Sequence, residues 1–177
     1  LGHRVSPTLA LSDLAKAGFT DLRTGRDSVE RLSGLTGCDP SVVLSVLGLA
    51  AEPDHAAIAL EEILVTSPEL ALRSGTDVPW LDSLVRVIGA SRGLADFLIR
   101  HPARAGNLRA GRADLDSADD MARRLLASVS TDGDGIAGVV GDEATDALRV
   151  EYRSIVCEIA AFDLAAPDAA AVLDRVA

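Results

Sequence analysis

Aromatic residues are scarce in this chain of 177 residues, which has one tryptophan, one tyrosine and three phenylalanines. Alanine, leucine and valine carry most of its apolar content instead. Sandwiches and barrels draw on β-branched and aromatic side chains, so this mix favours close-packed helices. No apolar run is long enough to cross a bilayer, and no charged-then-apolar leader opens the sequence. The expectation is a soluble, cytoplasmic protein that contacts no membrane.

Cysteine is nearly absent too. Cys38 and Cys157 lie far apart, outside any CxxC, and are expected as reduced, mostly buried thiols. The three histidines, His3, His55 and His101, do not make a zinc pattern. Net positive charge is missing, and at −10 the chain is a poor ligand for nucleic acid. There is no initiator methionine, and the sequence stops on D-R-V-A within a helical pattern, so a piece of a longer protein is expected.

What is present is helix signal. Leu9, Leu11 and Leu14 precede Gly18; Val29, Leu32 and Leu35 predict a helix from about 27 to 36. Asp39-Pro40 caps and opens the next, Asp54 is expected to cap a helix carrying Ile58, Leu60 and Ile63, and Pro68 starts a short one. Asp77 with Pro79 opens a helix reaching Gly89. Ser91 then caps a segment with Leu94, Phe97, Leu98 and His101 on one stripe, closed by Pro102. Residues 103–116 read as a surface connection, and 117–130 as a helix with Met121, Leu125 and Leu126 inward. The strongest element spans about 142–165, where Leu148, Tyr152, Ile155, Ile159 and Phe162 form a long apolar seam. A last helix begins near Asp168. The fold expected is all-α, a helical bundle-like module without a sheet. It forms a single unit over 1–177, with a possible small helical subunit at 1–75 and a main bundle at 76–177.

Charge is uneven along the chain. Arg86 to Arg112 holds six arginines against one acid, Asp96, whereas Thr131 to the end holds ten acids against three arginines. That pattern is either a solvated gradient or an arginine-lined face for an anionic partner. Asp96 lies off the apolar stripe with Arg92 and Arg100 at i−4 and i+4, a structural placement between two cations. Arg149 and Arg153 lie one turn apart and repel, so either Asp146 relieves them or they form an exposed pair for an anion.

Complete chemistry does not emerge. D-G-D-G at 132–135 aligns Asp132, Asp134 and Glu143 with calcium-loop positions, but Ile136 and Ala137 occupy places that need an oxygen ligand and a glycine. G-A-S-R-G at 89–93 has the letters of a hydrolase elbow, yet joins two helices. The D-x-D at 114–116 sits in polar loop sequence, not on a strand. No phosphate-cradling glycine loop occurs.

Two stretches go further. L-V-R-V-I-G-A-S-R-G-L-A-D-F-L-I-R-H-P at 84–102 and A-L-R-V-E-Y-R-S-I-V-C-E-I-A-A-F-D-L at 147–164, after E-P-D-H-A-A-I-A-L-E-E-I-L at 52–64, follow one order and spacing. This arrangement resembles the bifunctional glutamine synthetase adenylyltransferase/adenylyl-removing enzymes, in their actinobacterial branch. The likeness covers about residues 40–177. Matching positions include Gly89, Ser91, Asp96, His101 and Pro102 in the first motif, and Arg149, Tyr152, Arg153 and Asp163 in the second. Ile88 stands where leucine is usual, and Glu158 and Phe162 where the family tends to be basic. The resemblance implies a parent that uses ATP and Mg²⁺ to attach AMP to glutamine synthetase and removes it phosphorolytically, under signals from glutamine and the PII protein. It implies that catalysis rests on a Gly-Ser turn and a D-x-D strand, neither found in these residues. This chain would then be the helical N-terminal lead-in to the adenylyl-removing half, inactive alone and bracing the downstream catalytic domain. Arg92, Arg100, Arg104, Arg149 and Arg153 are the candidates for partner contact. Ser91, Asp96, His101, Pro102 and Asp163 are motif positions with structural roles. The alternative is a stand-alone helical interaction module with no catalytic parent.

Overall fold

A computed structural model describes residues 9–109, 115–129 and 138–165. Among the described residues there are ten α-helices and no strand: α1 (Leu11–Lys16), α2 (Leu22–Thr36), α3 (Pro40–Leu47), α4 (Pro53–Thr66), α5 (Pro68–Ser74), α6 (Val78–Ala90), α7 (Arg92–Arg100), α8 (Pro102–Gly106), α9 (Ala118–Ser128) and α10 (Gly141–Leu164). The fold is all-α with one long helix, as the periodicity predicted. The D-G-D-G segment, the expected helix near Asp168 and His3 lie outside the described residues.

Side-chain caps set half of the ten helix starts. Asp39 accepts from the Ser41 amide, Asp77 from Trp80, Ser91 from Leu94 and Ser117 from Asp120. Each cap contributes about 1 kcal/mol. Two starts differ from expectation. α2 begins a turn and a half early because Asp21 captures the Thr24 amide and hydroxyl. Asp54 does not cap its own helix; its carboxylate accepts from the Thr20 amide at 2.8 Å, the Thr20 hydroxyl at 2.7 Å and the Asp21 amide at 3.3 Å. It ties the turn before α2 to the start of α4. A third difference is α8, a short helix where a surface connection was expected, with Ala105 fully buried.

α4 is the centre of the body, packed by α2, α5, α6 and α7. Ala56, Ala57, Ala59, Leu60, Ile63 and Leu64 are buried on it, and α6 contributes Trp80, Leu81, Leu84, Val85, Val87 and Ile88 to the same core. Trp80 is fully buried, and its indole N–H donates to the Ala105 carbonyl at 2.9 Å. A buried indole needs such a partner. Arg73 lies 4.6 Å over the Trp80 ring and donates to the Gly106 carbonyl at 2.6 Å. α8 is thereby pinned to α5 and α6.

α10 lies against α6, α9 and α7. Its buried face is Glu151, Ser154, Ile155, Cys157 and Ala161. The apolar seam read from the sequence is only partly inward: Leu148 is 39% exposed and Tyr152 60% exposed, Ile159 and Phe162 are half-buried, and Ile155 is buried. Small side chains let α10 approach α6 closely, and an inward carboxylate finds cations there, so the helix is rotated away from its greasier flank. Leu126 of α9 is likewise exposed rather than inward. At the far end, Arg86 of α6 donates to the Leu164 carbonyl at 3.3 Å.

Gly89 shows why the first motif needs a glycine. A Cβ there would stand 2.4 Å from the Ala50 Cβ and 3.1 Å from the Ala50 Cα. The Gly89→Ala variant should lose about 1–3 kcal/mol in urea unfolding, the usual cost of overpacking. Gly34→Ala, with open space around the added methyl, should gain about 0.5–1 kcal/mol by the same measurement. Asp82 of α6 supplies a pH signature. Burial, partly offset by Arg86, raises its carboxyl above the ordinary 3.8, and its Oδ1 is buried without a partner. The folded state thus holds the proton more tightly than the unfolded one, and stability falls as pH rises through the window above 3.8. Asp82→Asn should therefore be more stable than the parent near neutral pH, with the difference vanishing well below 3.8 in pH-dependent denaturation.

Candidate functional site

Two polar assemblies flank α10. The first is a clasp centred on Glu151, which is only 6% exposed. Arg104 of α8 donates to its Oε2 at 2.7 Å, and Arg124 of α9 donates to its Oε1 at 3.0 Å. The Arg124 guanidinium also forks onto Glu158, with both contacts at 2.7 Å, and reaches Asp116 at 3.0 Å. Glu158 leads the interactions that hold the Arg124 guanidinium above its ordinary pKa. No residue of α9 is fully buried within the helix, so this charge network, rather than apolar burial, fastens α9 to the body. The hollow between them has a volume of about 870 Å³, but its walls mix Arg104 and Arg124 with Glu143, Asp146 and Glu151. Its two cations are paired within the chain.

The second assembly lies between α7 and α10. Ser91 starts α7, and Pro102 stops it, leaving His101 as its non-helical C-terminal cap. The His101 amide donates to the Phe97 carbonyl at 2.9 Å, and the two rings stack at 4.9 Å between centroids, tilted by 41°. α10 brings Arg149, Val150 and Arg153 opposite. The result is a pocket of about 360 Å³ lined by Phe97, Arg100, His101, Arg149, Val150 and Arg153. Three guanidiniums and an imidazole line it, and no carboxylate does. Arg149 meets Asp146 at 3.3 Å, but both side chains are more than 70% exposed and the pair is weak. Arg100 and Arg153 make no ion pair among the described residues. By volume the clasp hollow is larger; by uncompensated charge the α7–α10 pocket is the site.

The five candidate arginines therefore separate. Arg100, Arg149 and Arg153 converge on one pocket. Arg104 is spent on Glu151, and Arg92 lies elsewhere, paired with Glu52 at 3.0 Å on an exposed edge. Asp96 is exposed and bridges neither Arg92 nor Arg100. Asp163 is exposed near the end of α10. Ser91 and His101 sit at opposite ends of α7, about 15 Å apart at 1.5 Å per residue, so they cannot act as a nucleophile and base pair. Cys38 and Cys157 are free, and burial first, then Glu158, pushes the Cys157 thiol up to about 12. Sequence reasoning missed Glu151, Glu158 and Arg124. The available signal was a stripe, Glu151–Ser154–Glu158–Ala161, with helical spacing but small and acidic members. Among the described residues no group of three His, Cys, Asp or Glu is placed to hold a metal ion. They do not fit Mg²⁺, and no nucleotidyl-transfer step is assigned to them. No helix among them is long and apolar enough to cross a membrane.

Comparison with known proteins decides the relationship. The chain is 39% identical over 174 residues to a bifunctional glutamine synthetase adenylyltransferase/adenylyl-removing enzyme from Leifsonia xyli, covering 96% of the chain and 17% of that relative. The corresponding enzyme from Streptomyces coelicolor is 34% identical over 164 residues, covering 85% of the chain and 14% of the relative. The chain is a relative of one segment of these actinobacterial enzymes. A third, from Streptomyces avermitilis, matches at 36% over 101 residues, 51% of the chain and 10% of the relative. No protein-family model matches the chain, and no solved structure matches it significantly. The adenylyltransferase resemblance read from the two motifs is thus confirmed. Within it, the acid at 158 has a local reason: it is the carboxylate onto which Arg124 forks.

The clasp is open to direct test. Glu151→Ala leaves Arg104 and Arg124 facing each other across an empty seat. The expected loss is about 1.5–3 kcal/mol. It stays below that of a fully buried pair because the arginine side chains remain 31% and 29% exposed. Hydrogen exchange in the variant should quicken across α9 while α4 and α6 keep their protection.

Proposed function

We propose that this chain is the helical lead-in of an enzyme that adenylylates and deadenylylates glutamine synthetase, and that it braces the adenylyl-removing catalytic domain. The observation that carries the reading is the match over 96% of the chain to the Leifsonia xyli enzyme. The chain spans about a sixth of that relative's length, and the reading assigns catalysis to the remainder. ATP, Mg²⁺ and a cytoplasmic setting come with the parent, as do glutamine synthetase as target and the PII protein as signal. A physical feature supports the bracing role. Leu148 and Tyr152 on α10, with Leu126 on α9 and Val140 just before α10, leave apolar side chains uncovered while Glu151, Ser154, Ile155, Cys157 and Ala161 engage the body. Such a flank suits contact with the catalytic domain of the same protein.

The test is adenylyl removal from modified glutamine synthetase with phosphate and Mg²⁺ present. Full-length enzyme is compared with enzyme lacking these residues, alone and with this chain added back. The reading expects truncation to abolish removal, the added chain to restore it, and a Leu148→Asp chain to restore it poorly. Removal and regulation that survive truncation would contradict it and favour a helical interaction module without a catalytic role.

A further inference from the structure

We propose that the α7–α10 pocket is a binding site for a small phosphate-bearing ligand. With 27 acids against 17 basic residues, a cation in this chain finds a carboxylate easily. Arg31 pairs with Glu61, Arg73 with Asp77, Arg92 with Glu52, and Arg104 and Arg124 with Glu151. Arg23, Arg26, Arg86, Arg100 and Arg153 make no ion pair among the described residues, and of these Arg100 and Arg153 stand beside Arg149 and His101 in one concavity. Three guanidiniums stand together with no carboxylate in the lining and only the exposed, weak Arg149–Asp146 pair beside them, so they retain a repulsion that an external anion would relieve.

The chemistry of the lining narrows the anion. Guanidiniums present planar forks that match phosphate oxygens and keep their charge at every physiological pH. Three of them suit a dianion better than a single carboxylate. His101 adds a ring N–H, with its ring held in place by Phe97 and its backbone by the α7 terminus. At about 360 Å³ the pocket falls within the range of small-molecule sites and exceeds what inorganic phosphate alone needs, so a phosphate monoester fits the space. A small ligand is favoured over an acidic protein surface by the net charge of −10, which would repel an extended acidic partner but not an ion that occupies the pocket alone.

The experiment titrates the 177-residue chain with inorganic phosphate and, separately, with phenyl phosphate, at ionic strength held constant with chloride. Binding is read by calorimetry and by the ring resonances of His101, with His55 as internal reference. The proposal expects saturable binding and selective movement of the His101 signals. Tighter binding of phenyl phosphate would identify a monoester as the preferred form, and tighter binding of inorganic phosphate the free ion. Arg100→Glu and Arg153→Glu should each weaken binding at least about tenfold, the equivalent of losing one charge-assisted hydrogen bond. Arg92→Glu, outside the pocket, should leave it unchanged. Either the absence of saturable binding by both probes or an equal loss in the Arg92→Glu variant would overturn the proposal.

Discussion

One inward-facing carboxylate governs the second half of this molecule. Glu151 is nearly inaccessible to water, and a buried carboxylate is tolerated only where cations and hydrogen bonds replace its hydration. Arg104 and Arg124 supply both, from α8, which the Trp80 and Arg73 bonds also hold, and from α9, which has no buried residue of its own. The orientation of α10 follows. Once Glu151 points in, Ser154, Cys157 and Ala161 point in with it at helical spacing. Arg149 and Arg153, two residues before and after, fall together on the opposite flank beside α7. The clasp and the arginine pocket are two consequences of one rotational setting of the helix.

The first half rests on different physics. α4 and α6 are packed nearly all round with alanine, leucine, valine and isoleucine, and close approach is bought with small residues such as Gly89. Trp80 joins the two halves by burying its ring in the core and giving its N–H to α8. α8 in turn carries Arg104 to Glu151. A continuous route of contacts therefore runs from the apolar core through Trp80 and α8 to the clasp, and from the clasp to the flank that holds the pocket.

Much of this was legible in the sequence. Asp39, Asp77, Ser91 and Ser117 announced their helices, and the glycines and prolines between them marked the boundaries, because capping and chain-breaking are local effects. The length of α10 was legible for the same reason. Its buried face was not. Apolar periodicity pointed to Leu148 and Tyr152, yet the helix packs through small and charged residues whose burial depends on partners at positions 104 and 124, far away in sequence. Asp54 misled similarly, since it serves Thr20 and not its own helix. The candidate arginines were recognisable as a group from charge clustering. Which of them converge depended on where Glu151 and Glu52 drew Arg104 and Arg92.

The central claim is that charge on one flank of α10 leaves the apolar flank turned outward for the rest of the enzyme to cover. Hydroxyl-radical footprinting of Tyr152 tests it most directly, comparing this chain alone with the full-length protein. Tyr152 is 60% exposed here, so it should be oxidised readily in the isolated chain. Strong protection in the full-length protein is the predicted result. Equal labelling in both would mean that the flank stays bare, and the bracing role assigned to α10 would be wrong.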